Sequence, residues 1–199
     1  MWQTVTTTMH QNIRGLKGKT EEIMNNIVTN PSHVLCFTDH HLESHQLDCV
    51  PLQSYSLMAN FCRTTYRYGG VCIYVHASLQ ASSLEILKYC TQKDLEVCSV
   101  RLYLPTCTIG IVTLYRSPSG NFNHFIQELE ILLIFLSSNF KELIVCGDFN
   151  INFREDTTYK RILNSLMATF GLYPTVDFPM RIYNNSISTI DNIFINLTN

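Results

Sequence analysis

Apolar positions along this chain fall into two rhythms. The first is short unbroken runs closed by turn residues: Val34–Thr38, Val71–Val75 after Gly69 and Gly70, and Leu143–Cys146 before Gly147. Runs of this length with no polar face predict strands buried on both sides. Val97–Leu104 instead alternates, with Cys98, Val100, Leu102 and Leu104 on one face. Pro105-Thr106 then turns the chain, and Cys107–Tyr115 returns as the expected hairpin partner. A β-branched stretch, Val5–Asn12, predicts the first strand, and Ser188–Asn196 the last. The second rhythm is helical. Phe122, Phe125, Ile126, Leu129, Leu132, Leu133 and Leu136 form a wide stripe, and Tyr159, Ile162, Leu163, Leu166, Met167 and Phe170 another that stops at Gly171. A further helix is expected from the Gly15–Thr20 stretch to about Val28. Hairpins mixed with strand–helix–strand units predict a layered α/β domain with mixed sheets.

Composition narrows the classes. With 199 residues, 46% hydrophobic and 15% charged, the chain is long enough for one domain with a large core and too apolar for disorder. A net charge of −2 gives no bulk basicity, which leaves room for a nucleic-acid surface confined to one face. The longest strictly apolar stretch, Ile131–Leu136, is far shorter than a membrane span, so no membrane partner is expected. No basic-then-apolar leader opens the chain, which predicts an intracellular protein. None of the eight cysteines lies within four residues of another, so no Cys-x-x-Cys knuckle exists and reduced thiols are expected.

Two segments imitate known sites. Gly15-Leu-Lys-Gly18-Lys19-Thr20 suggests a phosphate-binding loop, but two residues separate its glycines where four are needed. Arg14, Lys17 and Lys19 are therefore read as a solvated basic turn that faces DNA. His41-Leu-Glu-Ser-His45 differs from His-Glu-x-x-His by the displacement of its Glu, and exposed loop histidines are expected there.

Five polar residues remain at strand ends: Asn12, Asp39, Asp148, Asn150 and Asp191. Asp148 and Asn150, at i and i+2, point the same way if the backbone is extended. Their order and settings resemble the endonuclease/exonuclease/phosphatase superfamily, and most closely the apurinic-type endonuclease domain of non-LTR retrotransposons. The stretches that carry the likeness are His10-Gln-Asn12-Ile-Arg-Gly-Leu, Leu35-Cys-Phe-Thr-Asp39-His-His-Leu and Gly69-Gly-Val-Cys-Ile-Tyr-Val. Leu114-Tyr-Arg-Ser-Pro, Cys146-Gly-Asp-Phe-Asn-Ile-Asn and Thr189-Ile-Asp-Asn-Ile-Phe complete the set.

The resemblance implies a four-layered α/β sandwich, two mixed β-sheets flanked by helices, in a single domain over residues 1–199. It implies a metal-dependent endonuclease that nicks DNA by phosphodiester hydrolysis. Asn12 and Asp39 would hold Mg2+ (or Mn2+); Asp148 would activate water, Asn150 and Tyr115 would face the phosphate, and Asp191 would orient a catalytic histidine. Arg116 and Arg14 would bind substrate. The expected setting is a monomer acting on nuclear DNA, within a parent protein that carries a reverse transcriptase.

Three departures stand out. Asp39 occupies a position where the family uses Glu, about 1.5 Å less reach. Met180 replaces the Thr of a Pro-Thr-Arg turn ending in Arg181. The family's closing strand and Ser-Asp-His motif do not follow Asp191 before Asn199, and His10, His33 and His76 lack the context to substitute. The alternative reading is accordingly a non-catalytic remnant that binds nucleic acid or protein weakly.

Overall fold

The computed structural model describes residues 6–179, 181–183 and 186–196; Val5 and Met180 lie outside the described residues. Strand β1 (Thr8–Asn12) leads through helix α1 (Thr20–Thr29) to β2 (Val34–Thr38), and these two strands pair in parallel. A short helix α2 (Ser44–Leu47) precedes β3 (Tyr55–Phe61) and β4 (Val71–His76), closing a four-stranded sheet of order β1-β2-β4-β3. Next come β5 (Gln80–Ser83), β6 (Glu96–Tyr103), β7 (Thr108–Tyr115), helix α3 (Phe122–Asn139) and β8 (Glu142–Asp148). Helix α4 (Thr158–Thr169), β9 (Tyr173–Pro174), the β10–β11 pair (Arg181–Tyr183, Ser186–Ser188) and β12 (Asp191–Ile195) complete the chain. The second sheet runs β5-β6-β7-β8-β12-β9, with β7 and β8 parallel and its other pairings antiparallel.

Strand alternation makes the layers. On β2, Val34 and Cys36 face the second sheet, where they meet Cys98, Val100, Ile111 and Cys146. Leu35 and Phe37 face the other way, onto Ile23 and Ile27 of α1 and Leu47 of α2. On the second sheet Val97, Val112, Leu114 and Val145 turn away from the first sheet, against Phe125, Leu129, Leu132 and Leu133 of α3 and Leu163 and Met167 of α4. Each run is continuously apolar because both of its faces are covered. The result is the α/β/β/α sandwich. Local signals place the helices: the Asn121 side chain accepts from the Asn123 and His124 amides to start α3, and Thr157 does the same for Lys160 in α4. Among the described residues no helix is long and apolar enough to cross a membrane.

Six elements escape the sequence pattern: α2, β3, β5, β9, β10 and β11. In β3 the reason is visible. Its pairing with β4 shifts register between Leu57 and Ala59, so the period of two breaks inside the strand.

Candidate active site

Both sheets end at one edge of the sandwich, and pairing register sets out the chemistry there. Across the second sheet Glu96 pairs Tyr115, Tyr115 pairs Asp148, and Asp148 pairs Asp191, placing four polar side chains in one row on four strands. In the first sheet Asn12 pairs Thr38, and Asp39 follows directly. A hydrogen bond from Asn12 Nδ2 to Asp148 Oδ2 joins the two rows across the sandwich, between residues 136 apart in sequence. Asn12 Oδ1 in turn accepts the Arg14 amide at 3.2 Å.

Asp148 is buried, and its Oδ1 accepts the Asn150 amide at 3.0 Å. This corrects the extended geometry expected for that pair. Asn150 has φ +50°, in the left-handed region that Asn tolerates, so its backbone caps the carboxylate while its side chain donates to the Arg116 carbonyl at 2.6 Å.

Arg116, expected against substrate, is turned inward. Only 5% exposed, it donates through Nε to Phe149 O and through Nη2 to Asn150 O, each at 2.8 Å, with Nη1 3.4 Å from the Ser117 and Gly120 carbonyls. It is a brace for the loop after β8, because a buried guanidinium must spend its donors on nearby carbonyls. Arg14 is exposed on the turn beyond β1, as is Lys17, whereas Lys19 folds back so that Nζ donates to the Ile13 and Arg14 carbonyls. The Gly15 and Leu16 amides bond Asp39 O (2.8 Å) and His40 O (3.0 Å), so that turn offers no phosphate cradle.

Asp39 has φ +60°, and its Oδ1 accepts from Gly69 N and faces His41 Nε2, both at 2.9 Å. Gly69 and Gly70 also have positive φ, and a Cβ on Gly70 would stand 2.4 Å from His40 Nε2, so only glycine fits there. Buried Glu96, absent from the sequence reading, ties this rim down. It accepts Gly70 N and Lys93 N at 2.7 Å and Arg63 Nε at 2.6 Å. Burial raises the pKa of its carboxyl group against these bonds.

Tyr115 stands between the acids. Burial first, then the charges of Asp39 and Asp148, raise the pKa of its phenol, so it remains a proton donor at neutral pH. Behind Asp191 lies His10, its Nδ1 4.0 Å from Asp191 Oδ1 and its Nε2 3.3 Å from Thr38 Oγ1. Burial lowers the His10 pKa to about 3, so this ring is neutral. The setting of His10 is not legible in the chain because Asp191 arrives from its far end. A cleft of about 450 Å³ opens at this edge, walled by Asp39, Tyr115, Arg63, Arg67, Lys93 and Ser117 among others.

The donors suit a hydrated hard cation. Asp39 offers a carboxylate and Asn12 an amide oxygen on neighbouring strand ends, while among the described residues no three His, Cys, Asp or Glu gather as a metal cage. Mg2+ is typically held this way, by one or two carboxylates with water and phosphate oxygens as its remaining ligands. His45 is exposed on helix α2 rather than in the expected loop, and among the described residues it forms no zinc site with His41.

A family model described as Endonuclease/Exonuclease/phosphatase family matches residues 9–198. The chain belongs to that family. Solved structures with the same fold include the endonuclease domain of TRAS1, a telomere-specific non-LTR retrotransposon, at 15% identity and TM-score 0.72, covering 96% of this chain and 84% of that one. An AP endonuclease from Leishmania major is similar at 17% identity and TM-score 0.72, covering 96% and 78%. A 3' phosphatase from Neisseria bound to product DNA hairpin matches at 15% and 0.67, covering 96% and 86%. No curated protein matches the chain.

Proposed function

We propose that this chain hydrolyses phosphodiester bonds in DNA, as the target-nicking endonuclease domain of a non-LTR retrotransposon. One observation carries the reading. Asn12, Asp39, Tyr115, Asp148 and Asp191, from two sheets and five strand ends, meet at one edge, with Asn12 bonded directly to Asp148.

A phosphodiester is shielded by anionic oxygens, so hydrolysis needs an activated water and positive charge on the phosphate. Asp39 and Asn12 would hold Mg2+ or Mn2+, which when bound would supply that charge as a Lewis acid. Asp148, aimed by Asn12 and the Asn150 amide, accepts the proton of the attacking water. Tyr115 keeps its proton and donates it as a hydrogen bond to a phosphate oxygen. Asp191, beside Asp148, faces the neutral His10 ring at 4.0 Å, and the leaving oxygen takes its proton from solvent. Relatives that act on or bind DNA support the substrate class, and the telomere-specific retrotransposon domain supports the role.

The test is nicking of supercoiled plasmid with added Mg2+ or Mn2+, for the wild type and Asp148→Asn. The substitution keeps shape and removes the base, so the rate should fall about 10²–10⁴-fold. Absence of cation-dependent nicking by the wild type, or hydrolysis of phosphomonoesters alone, would overturn the proposal.

A further inference from the structure

Arg63 on the loop after β3 has a feature that the roles above do not use. Its side chain is 6% exposed, yet only two of its three nitrogens are engaged: Nε by Glu96 and Nη1 by the Arg67 carbonyl at 3.2 Å. Nη2 is buried and has no hydrogen-bond partner among the described residues. A buried donor left unpaired costs about as much as a lost hydrogen bond, so its retention calls for an acceptor that arrives later. The group stands in the catalytic cleft. Its central carbon lies 5.7 Å over the ring of Tyr115, and Arg63 forms the cleft wall with Arg67 and Lys93.

We infer that Arg63 is the substrate-binding cation of this site, donating through Nη2 to a phosphate oxygen of the strand held in the cleft. Three observations fit that ligand. A guanidinium fork matches phosphate geometry, and such charge-assisted bonds are roughly twice as strong as neutral ones. Glu96 fixes the fork through a 2.6 Å bond, so little rotational freedom remains to be lost on binding. Tyr115, kept protonated, offers a second donor under the same guanidinium. The carboxylate on Nε does not cancel the site, because Glu96 is fully engaged with Arg63, Gly70 and Lys93. Arg63 thereby takes the part expected of Arg116, whose donors are all directed at backbone carbonyls. Glu96 is its positioning residue.

The inference rests on the nuclease reading but is testable without turnover. Inorganic phosphate is titrated into the full chain, cation-free, and followed by calorimetry. Arg63→Lys keeps the charge and the Glu96 contact but loses the fork. It should weaken phosphate binding about 10- to 150-fold, the worth of one charged hydrogen bond. An effect below twofold in a folded Arg63→Lys protein overturns the inference and leaves the nuclease reading intact. Should that variant not fold, the wild type decides: the Arg63 guanidinium nitrogen resonances should shift on adding phosphate, and their failure to move overturns the inference. In nicking assays Arg63→Lys should raise KM more than it lowers kcat. Failure of the wild type to nick, with phosphate still bound through Arg63, would overturn the nuclease reading alone.

Discussion

Asp148 and Asp39 each close a buried strand, but the fold holds them by different means. Asp148 is still inside β8, paired by β7 on one side and β12 on the other, with Arg116 bracing the loop that follows. Asp39 has already left β2, in a left-handed conformation, and is held by a glycine turn that depends on Glu96 from the other sheet. The acid assigned to water activation is thus fixed by sheet pairing. The acid assigned to the cation is fixed by a loop, which can adjust as ligands bind. That contrast explains the residue at position 39. At φ +60° Asp is tolerated where a longer side chain is strained, so the short acid matches this backbone.

Breaking the brace under Asp148 should have the largest effect. Arg116→Met leaves the Phe149 and Asn150 carbonyls without their donors, at a combined cost of about 3 kcal/mol. Thermal unfolding should shift down by roughly 10 °C, and nicking should fall with it. A shift under about 2 °C would show that strand pairing alone fixes the Asp148 loop.

Acid should act next, through the two buried histidines that back the acids. His40, behind Asp39, accepts the Leu42 amide on Nδ1 at 3.0 Å and sets Nε2 against Phe61 O at 3.1 Å, an arrangement for the neutral ring. Burial lowers its pKa to about 4, and that of His10 to about 3. In both, the folded value lies below the unfolded one near 6.5, so the unfolded chain binds more protons in between. Stability is therefore full above pH 6.5 and declines as pH falls toward 4 for His40 and toward 3 for His10. Each should cost about 2 kcal/mol at pH 5. Denaturant midpoints from pH 7 to 5 test this, and replacing His40 with Gln should flatten the slope by about half.

The smallest effect should come from Asp39→Glu. The longer side chain should tighten Mg2+ by less than about tenfold, while left-handed strain costs about 1 kcal/mol of stability. Calorimetry and thermal unfolding read the two halves separately. Unchanged cation affinity would remove residue 39 from the cation site.

Much of the fold was legible in the chain. Val34–Thr38 is a strand with the expected bounds, and Phe122 begins α3 as its stripe requires, because apolar periodicity reports which faces are covered. The residues at strand ends were legible for the same reason: a polar side chain directly after a buried run has to stand at the sheet edge. What sequence could not decide was which charged group turns inward. Arg116 and Arg63 both flank strands, yet one is spent on carbonyls of the β8 loop and the other keeps a donor at the cleft. That outcome depends on partners brought together only by folding. Glu96 meets Arg63 from 33 residues away, Asn12 meets Asp148 from 136, and His10 meets Asp191 across the two sheets. Local pattern fixes which faces are buried; the pairing of buried charges is fixed only when distant strand ends share one edge and each donor takes the nearest acceptor.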